Sequence, residues 1–148
     1  MPIQRPATVA LRSSLYDDAV AIVEREYARD LGLNEIARRV ASSRRQLQRA
    51  YAEVGRTTFR EHLTAVRMVR AADLLARTSI TVREVARGVG YRQPAQFAKA
   101  FRRHHGVAPS AFRHDGRGHA DGVTGLGTAP HRGALESRGR PPITGSIP

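Results

Sequence analysis

One stretch of this chain is written twice. Leu33-Asn34-Glu35-Ile36-Ala37-Arg38-Arg39-Val40 matches Val82-Arg83-Glu84-Val85-Ala86-Arg87-Gly88-Val89 at an offset of 49, and Leu47 and Tyr51 match Phe97 and Phe101 at an offset of 50. A repeat at fixed spacing constrains the fold strongly, because each copy is one unit with the same packing problem. In each copy the apolar residues of the first segment recur at spacings of 3, 4 and 7, which is one face of a helix. The second segment has apolar residues inward and polar or basic residues outward. Each copy therefore reads as a short helix, a tight turn and a second helix. In such a helix-turn-helix the second helix can enter a major groove.

The rest of 16–113 is also helical in pattern, with no alternating run that would suggest a strand. Asp17 and Asp18 suit the first turn of a helix reaching about Ala28, where acids meet the positive dipole end. Ser43 with Gln46, Thr58 with Glu61 and Thr81 with Glu84 are capping boxes that open three further helices. Gln93-Pro94 opens another, proline being favoured at the first helical position, and Pro109 starts a last short turn anchored by Phe112. The long helix from Phe59 to about Arg77 carries two apolar stripes out of phase, Phe59-Leu63-Val66 and Met68-Ala72-Leu75. A rigid connector serving two neighbours has that pattern. The expected fold is all-α, with about seven helices in two helix-turn-helix subdomains joined by a long connector helix.

Outside this region, 1–15 reads as a short N-terminal segment. Residues 114–148 hold eight of the 13 glycines and four of the eight prolines, so they read as a disordered tail unable to offset its ordering entropy. His114, His119 and His131 have no regular spacing there and read as unligated.

Charge narrows the partner. The net charge is +12, with 25 Lys+Arg against 13 Asp+Glu. A soluble basic domain usually meets nucleic acid. The helices look packed, without the free, wide apolar face that a membrane surface requires. Lys99 is the single lysine, a bias that a GC-rich coding sequence explains as well as function does, so the arginines' positions matter more than their number. With no cysteine, disulfides, zinc fingers and thiol nucleophiles are excluded. The absence of a membrane-length apolar run or a signal-peptide core gives a cytoplasmic expectation. No cofactor or metal site is expected.

Arg44, Arg45, Gln48 and Arg49 gather on the face opposite Leu47 and Tyr51, with no acid until Glu53. Such a face suits phosphates and base edges of double-stranded DNA. In the second copy the outward positions are Ala95, Gln96 and Lys99, with Arg92, Arg102 and Arg103 nearby. Arginine can fork onto guanine and glutamine onto adenine. Arg45, Gln48 and Arg49 are therefore assigned to base edges and Arg44 to phosphate. The Ala95 side chain cannot hydrogen-bond to a base edge, so the second unit is expected to be poorer in direct readout and to clamp the backbone more than read it. An enzyme acting on DNA would need clustered carboxylates or a positioned nucleophile. Glu35, Glu61 and Glu84 instead sit at helix starts, and His62, His104 and His105 form no triad.

Residues from about Tyr16 to Arg113 resemble the DNA-binding domain of the AraC/XylS family of bacterial transcription regulators. The resemblance is carried by Leu33-Asn34-Glu35-Ile36-Ala37, by Ser43 to Arg49, and above all by Val85-Ala86-Arg87-Gly88-Val89-Gly90-Tyr91. It continues through Phe97 to Arg103 and Gly106 to Arg113. It implies a seven-helix domain whose two recognition helices enter successive major grooves on one face of the DNA. It also implies a regulator, chiefly an activator with RNA polymerase as second partner. With 15 residues before the first expected helix, the chain resembles stand-alone members, which act as monomers. A DNA-binding fragment of a longer regulator is the alternative. The family's alkyl-transfer branch needs cysteines that this chain lacks. Four positions, at three places, depart from the family pattern. Ala41-Ser42 replaces glycine and an apolar residue in the first turn. Arg56 replaces a closing glycine, a role Gly55 could fill. His105 replaces an aromatic, with a looser corner expected.

Overall fold

A computed structural model describes residues 5–122, with side chains over 5–115. In chain order the helices are α1 (Pro6–Glu26), α2 (Leu33–Arg39), α3 (Arg44–Ala50), α4 (Phe59–Arg77), α5 (Val82–Gly88), α6 (Pro94–His105) and α7 (Pro109–Gly122). A π-helical turn, Tyr51–Gly55, continues α3. Among the described residues there is no strand.

Two cores lie along α4. The first joins Ala19, Ile22 and Val23 of α1 to Ile36 and Ala37 of α2, Leu47 and Tyr51, and Leu63 of α4. The second joins Met68, Ala71 and Leu75 of α4 to Val85, Ala86, Val89, Phe97 and Phe101. The two stripes of the connector thus face different cores, as their phase shift predicts. Tyr27, just past α1, packs against both.

The turn between the helices of each unit is closed in the same way. The Ser42 N–H donates to the Ala37 carbonyl (2.8 Å) and the Ala41 N–H to Arg38 (3.1 Å). In the second unit Tyr91 donates to Ala86 (2.9 Å) and Gly90 to Arg87 (3.1 Å). This paired closure puts one residue in the left-handed region, Ala41 at φ 52° and Gly90 at φ 99°. The three expected capping boxes are all formed.

Several expectations need correction. The first helix starts at Pro6, so Asp17 and Asp18 lie exposed in its middle rather than in its first turn. Residues 6–15 of the supposed N-terminal segment are therefore helix, tied down by Leu15 and by an ion pair from Arg12 to Glu53; residues 1–4 lie outside the described residues. The last helix runs to Gly122, nine residues into the segment read as tail. Residues 123–148, with His131, lie outside the described residues, as does the side chain of His119. Arg56, not Gly55, takes the left-handed position after α3, at φ 54°. Gly55 serves a different purpose, because a Cβ there would come within 2.5 Å of the Tyr16 ring. His105 does not loosen its corner. Its ring lies 4.4 Å from that of Phe101 and 5.6 Å from that of Phe112, and its Nε2 donates to the Met68 carbonyl at 3.1 Å.

Candidate nucleic-acid interface

Helix α3 is pinned at its start and along its inner face. The Gln46 N–H donates to Ser43 Oγ at 3.1 Å, and the Ser43 N–H to Gln46 Oε1 at 3.5 Å. Leu47, Ala50 and Tyr51 are fully buried. That leaves Arg44, Arg45, Gln48 and Arg49 exposed on the opposite face. The nearby acids are engaged elsewhere. Glu53 pairs with Arg12, and Glu26 holds Arg39 through a two-pronged contact at 2.9 and 2.5 Å. Among the described residues no carboxylate pairs with Arg44, Arg45 or Arg49. A polyanion would therefore displace no internal partner.

In the second unit Phe97 and Phe101 anchor α6, and Gln96, Lys99, Arg102 and Arg103 are exposed. Gln96, Lys99 and Arg103, spaced 3 and 4 apart, share a stripe. Arg92 lies apart from this stripe, before α6, with its Nη2 3.7 Å from Asp30. Both side chains are almost wholly solvated, so this pair is weak and Arg92 is not committed to it.

Between the units lies a cleft of about 780 Å³. Arg44 and Gln48 line it from α3 and Gln96 from α6; α4 contributes Arg60, Thr64 and Arg67, and none of the lining residues is acidic. The structure thus brings Arg44, Gln48 and Gln96 to one opening. Arg45, Arg49, Lys99, Arg102 and Arg103 lie outside it.

Sequence reasoning did not single out Arg60 and Arg67, which the structure places in the cleft lining. Arg60 lies inside the Thr58–Glu61 capping box, which was read only as a helix start. Arg67 falls between the two stripes of the connector, where the phase break itself marks a residue that faces both units.

The polar side chains that a catalytic reading would need are otherwise occupied. His62 Nδ1 is 2.9 Å from the Tyr51 hydroxyl, and burial holds the imidazole below its ordinary pKa. Glu61 and Glu84 bond the backbone of their own helix caps, and Glu35 lies 3.8 Å from Arg39. Among the described residues no group of three or more His, Asp or Glu could hold a metal ion. No described helix is long and apolar enough to cross a membrane.

A family model described as "Helix-turn-helix domain" matches residues 36–115, more than half of the chain. The lactose operon transcription activator of Staphylococcus xylosus is 30% identical over 96 residues, which is 65% of this chain and 34% of that protein. This chain spans about a third of the length of the curated relatives it matches. Among solved structures, a transcriptional regulator from Chromobacterium violaceum, described by its AraC-type DNA-binding domain, superposes with a TM-score of 0.67 at 26% identity. That match covers 72% of this chain and 96% of the other. The DNA-binding domain of AdpA, a global transcriptional factor solved in complex with a target DNA, gives a TM-score of 0.67 at 27% identity. It covers 70% of this chain and 93% of that one.

Proposed function

The chain belongs to the AraC/XylS-type helix-turn-helix family, and from that premise we propose that it is a sequence-specific transcription regulator that lays α3 and α6 into successive major grooves of duplex DNA. The observation that carries the reading is the pair of matched units that present outward faces of arginine, glutamine and lysine on either side of an acid-free cleft. The solved complex of AdpA with DNA supports the same class of partner.

Arg45, Gln48 and Arg49 read base edges, each forked contact worth about 1–3 kcal/mol of discrimination. Arg44, at the mouth of the cleft, meets phosphate. Gln96 and Lys99 give the second unit a thinner reading face, while Arg92, Arg102 and Arg103 hold the backbone. Residues 16–113, with the rest of α1 from Pro6 packed against them, form the binding unit. Both reading helices lie on one chain, so it binds as a monomer to an asymmetric site. It acts in the cytoplasm as an activator, with RNA polymerase as its second partner, and uses no catalysis or cofactor.

The test is affinity on a duplex selected by the wild-type chain from a random library, against a scrambled duplex, at several salt concentrations. Arg49→Ala is expected to lose about 1–3 kcal/mol on the selected duplex and little on the scrambled one. Arg103→Ala is expected to weaken both alike and to flatten the log–log salt dependence by about one unit. Equal loss for Arg49→Ala on both duplexes would remove its base-reading role.

A second reading, that this is the DNA-binding part of a longer regulator with no regulatory activity alone, is favoured by the share of its relatives' length that the chain spans. A promoter–reporter assay with this chain alone separates the two, since only a self-sufficient regulator changes reporter output.

A further inference from the structure

Three elements meet at one half-buried guanidinium. Arg67 lies on α4 between Leu63, in the first core, and Met68, in the second. Its Nε donates to the Tyr27 carbonyl at 2.8 Å and its Nη2 to the Arg29 carbonyl at 2.9 Å. These carbonyls lie at and just beyond the C-terminal end of α1, where a cation is favoured and acceptors otherwise lack partners. The same guanidinium sits 5.5 Å from the centre of the Tyr91 ring, in the turn of the second unit. Gly90 makes that approach possible, since a Cβ there would stand 2.8 Å from Arg67 Cζ. The fork-shaped donor geometry is specific to arginine, so lysine is not a substitute.

We infer that Arg67 is a positioning residue that fixes the second helix-turn-helix unit against the end of α1, and so sets the spacing between the two groups of base pairs the chain reads. Neither core alone does this: among the described residues the two clusters share α4 and the side chain of Tyr27. With the guanidinium removed, the second unit keeps its own core but loses the half-buried link to the end of α1, leaving only the weak, solvated Arg92–Asp30 contact there. The link to spacing rests on the two-groove reading proposed above.

Two measurements separate this inference from that reading. The chain has no cysteine, so spin labels placed through Asn34→Cys on α2 and Arg83→Cys on α5, both exposed, report the distance between units in the free protein. A narrow distance distribution is expected with Arg67 present, a broad one with Arg67→Ala, and an intermediate one with Arg67→Lys. The second measurement uses the selected duplex and a copy with two base pairs inserted between its halves, which turns one half by roughly 70° about the axis. The wild-type chain should lose about tenfold or more on the insertion, and Arg67→Ala less than about threefold. An equally narrow distribution in Arg67→Ala overturns the inference. Broadening without a change in the spacing ratio overturns its link to DNA reading. If the wild-type chain does not prefer its selected duplex to a scrambled one, the two-groove reading fails, and the spin-label distances still decide the role of Arg67. If circular dichroism shows that Arg67→Ala does not fold, Arg67→Lys carries both measurements.

Discussion

Ala41 and Gly90 hold the same place in the two turns, with φ at 52° and 99°, yet only one of them is glycine. An L-residue held in the left-handed region costs about 1–2 kcal/mol, partly offset by glycine's greater loss of chain entropy. Ala41→Gly is therefore expected to raise stability by about 1 kcal/mol, or roughly 5 °C in Tm by thermal unfolding. An unchanged or lower Tm would mean that the first turn is not strained. Glu26 makes a pH prediction. The two-pronged hydrogen bond from Arg39, with the contact from Arg29, holds its carboxyl at about 2, below its ordinary 4.5. Between those values the unfolded chain binds the proton more readily, so this contribution is full above pH 4.5 and is lost as pH falls towards 2. Glu26→Gln should flatten that part of the Tm-against-pH curve; an unchanged slope would assign the acid loss to other carboxylates. At this scale the sequence was legible where a residue has one job. The repeat marks Ile36, Ala37, Val85 and Ala86 as core, and all four are buried. It was misleading at Gly55, because a close approach by a distant ring leaves no trace in local spacing.

The helix starts marked by paired side chains were all readable, because a capping box is a local contact between residues three apart. The start of α1 was not. Arg5 caps it without a side-chain bond, and Val9 and Leu11 are exposed, so no apolar stripe announces its first turns. Asp17 and Asp18 then offered a false dipole signal. The unequal starts of the two recognition helices also carry a prediction. Only α3 has a side-chain cap, since α6 begins with Gln93 and Pro94. Ser43→Ala should therefore cost about 1 kcal/mol in urea unfolding, while Gln93→Ala should cost little. Equal losses would show that packing, not capping, fixes the start of α3.

Two small cores share one continuous helix, so under the proposed two-groove reading function depends on how the halves are held together. Much of this was legible in the phase shift along the connector and in the offset of the repeat. The acid-free cleft was not, because Arg44, Arg60 and Gln96 come together only once α3, α4 and α6 are packed. On the function proposed above, the large positive charge governs how tightly any DNA is bound, and the placement of α3 and α6 governs which DNA. Methylation interference at guanine N7 on the selected duplex tests this placement most directly, because that atom lies in the major groove. The predicted result is two unlike clusters of sensitive guanines, roughly 10 base pairs apart on one face of the DNA, with one chain bound per duplex. A single cluster, or two symmetry-related clusters with two chains bound, would contradict it.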